Sequence, residues 1–187
     1  MSTNNTKVHA ASYPQVATNT SSVAATKHPS DSFVEMTEIV LPQHTNAIGS
    51  VFGGTVMAWV DIAAATCALR HSRSQVVTAS MDAMHFLAPI RLGWIVSLKA
   101  SVNYAARTSC EVGVKITAEN PLTGERFHTA TAYLTMVSVD RDGKPIPMPP
   151  LTPVTPDEIR RNGAAIERRK ARLALKEKLV ATIGPNP

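Results

Sequence analysis

Cysteine is nearly absent from the 187 residues: Cys67 and Cys110 are the only two, so neither a disulfide scaffold nor a four-ligand zinc site can be built from them. Both fall in segments that read as helix and strand, where a free thiol behaves as a small buried apolar side chain. Long apolar runs are missing too. No stretch approaches the roughly 18 consecutive apolar residues of a membrane span, and the N-terminus lacks the basic-then-apolar order of a secretory signal. The expectation is a cytoplasmic protein with no membrane span. Acids are absent before Asp31 and arginine is absent from residues 1–32, which sets this stretch apart from Arg-rich transit peptides. Neither a zinc-finger nor an RNA-binding signature accompanies the formal charge of +5. That charge is local, because residues 156–180 hold eight Lys/Arg against four Asp/Glu and the remainder sums to +1. A basic C-terminal segment is present, not a basic domain, and nucleic acid is not an expected partner.

A hydrophobic fraction of 44% in a chain of this length supports one domain with a real core. Residues 1–32 are mostly Ser, Thr, Asn, Ala and Val without a hydrophobic period, a composition that predicts a disordered tail. From Phe33 to Leu41 a β-branched, partly alternating run closed by Pro42 fits a first strand. A loop from His44 to Phe52 leads into Gly53-Gly54 and then an Ala-rich segment, Thr55 to Arg70, apolar on every side except for Asp61. A helix of that kind is buried.

The rest reads as antiparallel sheet. Val96, Leu98, Ala100, Val102 and Tyr104 alternate with polar residues, as do Cys110, Val112, Val114, Ile116 and Ala118. Residues 120–124 make a turn, and Phe127 to Val139 is apolar on both faces, the pattern of a central strand. A further run, Val76 to Met84, precedes Pro89. The C-terminal segment, residues 151–187, contains a basic helix opened by the capping box Thr155-Pro156-Asp157-Glu158, with Ile159, Ile166, Leu173 and Leu179 as a thin apolar stripe for docking. One buried helix among long antiparallel strands is an α+β layout, with a single domain over residues 33–150. Periodicity goes no further than that class.

Between Glu38 and Glu111 the only acids are Asp61 and Asp82, and Asp61 lies inside the apolar helix. An unpartnered carboxylate costs several kcal/mol to bury, so an acid kept there is paired or used. Gly53 and Gly54 at the helix start offer free backbone N–H groups at the positive end of the dipole, where a developing oxyanion would be stabilised. Asp61 lies about two turns, or ~10 Å, beyond them along the axis, so one helix cannot bring both to the same carbonyl. A site shared by two chains is compatible with that spacing.

These residues carry a resemblance. The stretch HTNAIGSVFGGTVMAWVD over residues 44–61 resembles the signature of hotdog-fold acyl-CoA thioesterases, the cytosolic long-chain acyl-CoA hydrolase type and its bacterial relatives. Residues 84–90, 103–112 and 137–145 are similar to that family's later segments, so the likeness spans about residues 35–150. The resemblance implies one antiparallel sheet wrapped around the central helix, and hydrolysis of acyl-CoA to free fatty acid and CoA without metal or cofactor. By position, Asp61 would be general base or nucleophile, Asn46 would orient the water or carbonyl, and the Gly53 and Gly54 amides would hold the oxyanion. Arg107, Thr108 and Ser109 match the family's CoA-contacting stretch, although Ala105-Ala106 stand where relatives commonly have Gly; Arg91 and Lys99 are further cations for CoA phosphates. Met57, Trp59 and Phe86 are the candidate acyl-chain liners. A homo-oligomer is implied, at least a dimer and by family a trimer of dimers.

Two other classes fit parts of the sequence. A non-catalytic acyl-CoA-binding hotdog domain would use the long tails for interaction. A hotdog hydratase or dehydratase would need a histidine, and His85 is the central one, although it reads as a satisfied structural residue. No Gly-x-Ser-x-Gly elbow is present for a serine esterase.

Overall fold

The computed structural model describes residues 25–183. Five strands, β1 (Val34–Ile39), β2 (Gln75–Met81), β3 (Ile95–Ala105), β4 (Ser109–Glu119) and β5 (Arg126–Val139), form one sheet in the order β1-β3-β4-β5-β2. Every neighbouring pair is antiparallel. Two helices, α1 (Gly53–Ser72) and α2 (Pro156–Ile183), complete it. The sheet curls around α1, the hotdog arrangement of an α+β domain.

Alternation along the strands produces the core. Val96, Leu98, Ala100 and Val102 of β3, Val112, Val114 and Ile116 of β4, and Ala132, Leu134 and Met136 of β5 point at α1 and are buried. From α1 come Val56, Trp59, Val60, Ala63, Ala64, Cys67 and Ala68, and the small side chains of the last four let the helix axis lie close to the sheet. Cys67 and Cys110 are free and buried, and burial pushes the Cys67 thiol up to about 11.

Three expectations need correction. β5 is interior but not central: β4 holds the centre, Tyr133 on the second face of β5 meets Arg168, and Phe127 near its start stacks on Trp94. The helix α1 is not enclosed on all sides, for Met57, Ile62 and Leu69 are exposed along one flank. The ordered chain also begins before residue 33. Pro29–Ser32 forms a 3-10 turn with Ser32 fully buried, and Lys27 pairs its backbone with Pro150 (2.9 Å) and Thr152 (2.8 Å). The Lys27 ammonium caps α1 by donating to the Arg70 carbonyl at 2.8 Å. Composition misses this because the segment is held by backbone pairing and a helix-end cation, not by apolar area. The rest of the expected disordered tail, residues 1–24, lies outside the described residues.

The helix α2 starts at the expected capping box, with the Thr155 N–H donating to Glu158 Oε2 (2.9 Å) and the Glu158 N–H to Thr155 Oγ1 (3.2 Å). Its docking face differs from the apolar stripe. Ile159, Ile166, Leu173 and Leu179 are all exposed, while Asn162, Ala165, Arg168 and Arg172 face the sheet. The reason is a buried acid on β4, Glu111, that polar and cationic side chains must meet.

Candidate active site

The site begins with a turn. Asn46 Oδ1 accepts the N–H groups of Ile48 (3.1 Å) and Ser50 (3.2 Å), and the Asn46 N–H donates to the Ser50 carbonyl at 2.8 Å. Gly49, at φ +73°, supplies the left-handed residue this tight loop requires. The turn therefore fixes the Asn46 amide by its oxygen. No acceptor among the described residues takes its Nδ2.

The loop then enters α1 at Phe52. Thr55 and Val56 donate to the Phe52 carbonyl, whereas the Gly53 and Gly54 N–H groups have no acceptor among the described residues. Beside them lies a groove of about 360 Å³ lined by Ser50, Val51, Gly53, Val56 and residues 86–90. The Phe86 ring passes within 3.4 Å of where a Gly53 Cβ would sit. Phe86 thus lines the groove. Trp59 does not: it is buried, and its ring meets His44 edge-on at 5.1 Å. Met57 lies on the exposed flank of α1.

Asp61 is half-buried on α1, and Thr78 Oγ1 of β2 donates to its Oδ1 at 2.6 Å. Thr78 escaped the sequence reading because nothing local marks a strand threonine; its meaning comes from β2 passing alongside α1. A bulge between Thr78 and Ser80 breaks the ladder to β5 immediately after it.

The cations divide. Arg91 is exposed at the groove end, its backbone bridged to Ser50. Arg107, Thr108 and Ser109 form the β3–β4 hairpin, anchored by Ser138 N–H to the Thr108 carbonyl at 3.0 Å. That hairpin follows the far end of β3 from residues 86–90, and none of its three residues lines the groove. One chain does not bring Arg107 to its own groove. Lys99 is engaged by Glu35 at 3.1 Å on the β1–β3 edge. His85 is exposed, which corrects its reading as a satisfied structural histidine, and no carboxylate among the described residues orients it.

Residues 48–125 match the model of the thioesterase superfamily, a span that holds Gly53, Gly54, Asp61 and Thr78. An uncharacterized acyl-CoA thioester hydrolase of Bacillus subtilis is 40% identical over 147 residues, 79% of this chain and 86% of that protein. The chain belongs to the thioesterase superfamily. Among solved structures, the acyl-CoA hydrolase of Staphylococcus aureus, determined with butyryl coenzyme A, coenzyme A and coenzyme A disulfide, is 37% identical with a TM-score of 0.76, covering 84% of this thioesterase-superfamily chain and 98% of that one. Variants of that hydrolase with an asparagine, an aspartate or a threonine changed to alanine have also been solved. A hexameric acyl-CoA thioesterase is 42% identical with a TM-score of 0.76, covering 81% of this chain and 99% of that one. None of the described helices is long and apolar enough to cross a membrane.

Proposed function

We propose that the protein hydrolyses the thioester of acyl-CoA, releasing the free acid and CoA. The observation that carries this reading is the Asp61 carboxylate held by Thr78 at 2.6 Å, on the same helix whose first two amides are free beside the groove. The three residues substituted in the Staphylococcus aureus hydrolase are separated by 15 and 17 positions, as are Asn46, Asp61 and Thr78 here, which supports assigning them together.

In the proposed step a water oxygen attacks the thioester carbonyl carbon as Asp61 takes its proton. The carbonyl electrons move onto oxygen, where the Gly53 and Gly54 N–H groups stabilise the charge. The oxyanion then collapses, the C–S bond breaks, and the thiolate receives the proton. Asp61 as nucleophile is the variant of this route, passing through a mixed anhydride that water opens. The Asn46 amide, fixed by its oxygen, offers Nδ2 to the carbonyl or the water. Neither route needs a metal or a cofactor, because the thiolate is a good leaving group.

Since Asp61 and the Gly53 and Gly54 amides sit ~10 Å apart along one axis, we assign each site to two copies, Asp61 from one and the helix start from the other. The exposed flank of α1 and the outer edge of β2, carrying Val77, support an interface there. A trimer of dimers agrees with the hexameric relative, and in it Arg107 would reach a groove formed by other copies while Arg91 serves its own. The cytoplasm is the proposed compartment, in keeping with two free buried thiols.

The test is CoA thiol release from an acetyl- to palmitoyl-CoA series. Turnover on any member supports the reading. Tight binding of acyl-CoA with no release supports the non-catalytic binding domain instead, and water addition to crotonyl-CoA supports the hydratase.

A further inference from the structure

A cluster of buried charge lies on the face of the sheet opposite α1. Glu111 of β4 has a side chain only 1% exposed and receives Arg168 Nη2 at 2.6 Å, Arg172 Nη2 at 2.7 Å and Asn103 Nδ2 at 3.3 Å. Arg168 also stacks 3.6 Å over the Tyr133 ring. Burial by itself would raise the Glu111 carboxyl, but the two guanidinium groups outweigh it and hold it below the usual carboxylate range.

One Arg is enough to neutralise Glu111, so the second needs another partner. Arg172 Nη1 reaches Asp82 Oδ2 at 2.7 Å, both side chains being 21% exposed. Two guanidinium groups and two carboxylates make the cluster neutral; without Asp82 it keeps an excess positive charge out of bulk water.

Asp82 stands at a junction. It directly follows β2, the strand of Thr78, and its N–H donates to the Tyr133 carbonyl at 2.9 Å. From it the chain runs through Met84 to Phe86–Ile90, the wall of the groove, and is next tied to β5 by Leu87 N–H on the Thr129 carbonyl at 2.8 Å. The groove wall is thus rooted, at its start, by a side chain of α2.

We infer that Arg172 is a positioning residue for the groove: through Asp82 it holds the root of residues 82–90, so docking of α2 and order of the groove wall are coupled. Coupling of this kind is reciprocal, and loosening either element loosens the other. The effect on substrate binding rests on the function proposed above; the coupling itself does not.

The test uses the full chain with Asp82→Asn and Arg172→Gln, read by amide hydrogen exchange and by turnover. In both variants the amides of residues 82–90 and of α2 around residue 168 exchange about ten-fold faster or more, while Leu98 and Ile116 in the sheet centre keep wild-type protection. For acyl-CoA, KM rises about five-fold or more with kcat changing less than about two-fold, and Arg172→Lys recovers part of the loss. Unchanged exchange over 82–90, or equal acceleration across the whole sheet, overturns the inference. Asp82→Asn leaves the Arg172–Glu111 pair intact, so it decides the matter if Arg172→Gln does not fold. A wild-type protein without turnover removes the proposed activity, and the exchange data then judge the coupling alone.

Discussion

Thr78 Oγ1 donates to Asp61 Oδ1 across 2.6 Å, joining the edge strand to the central helix. A hydroxyl on one carboxylate oxygen fixes the plane of the group and leaves the other oxygen to face a water. Thr78→Val removes that donor at nearly constant volume. CoA-release assays then show kcat lowered about ten-fold to a hundred-fold, the scale of a hydrogen bond to a charged group, while Thr78→Ser stays near wild type. An unaltered kcat in Thr78→Val takes Thr78 out of the site.

A shared site makes a prediction about mixtures. Asp61→Asn and Asn46→Ala homo-oligomers are each inactive, but a mixed dimer has one site with both residues intact. Refolding the two together at equal amounts restores about a quarter of wild-type activity per site. No recovery, with exchange of chains shown by mass spectrometry, places both residues in one chain's site.

Stability falls on acidification in two stages. His71 is buried, which lowers its affinity for a proton; its Nε2 bonds the Pro149 carbonyl at 2.9 Å and its Nδ1 is buried without a partner. Because its folded value lies below the ordinary 6.5, its contribution is complete above pH 6.5 and is lost as pH falls through the folded value. Glu111, held below its ordinary 4.5, contributes fully above pH 4.5 and loses that contribution as pH falls through its own folded value. Urea midpoints at fixed protein concentration decline through both windows; a midpoint that rises on acidification contradicts this assignment.

Gly113 is required by space. A Cβ there would lie 2.5 Å from Asn103 Nδ2 and 3.4 Å from Tyr133 Cε1, in the packing beneath Arg168. Gly113→Ala destabilises by about 1–3 kcal/mol in urea unfolding, and the further change Asn103→Ala relieves part of that. Wild-type stability in Gly113→Ala shows that Asn103 has room to move aside.

What the sequence makes legible is local. The Ala-rich helix, the alternating β3 and β4, and the capping box of α2 all follow from period and end signals within a dozen residues. The stretch that holds Asn46, Gly53, Gly54 and Asp61 is likewise one continuous motif. Thr78 and Arg172 are invisible at that scale, because their partners Asp61 and Asp82 are 17 and 90 residues away. The docking face of α2 fails for the same reason: apolar Ile159 and Leu173 look like the buried stripe until Glu111 is seen on the sheet beneath. Lys27 and His28 look like tail until residues 150–152 return beside them.

The central claim is that Asp61 carries acyl-CoA hydrolysis. The direct measurement is CoA thiol release by wild type and Asp61→Asn, purified in the same oligomeric state and both shown to bind acyl-CoA. The account predicts wild-type turnover and a loss of about 10²- to 10⁴-fold in kcat for Asp61→Asn, with binding retained. Full turnover in Asp61→Asn would contradict it.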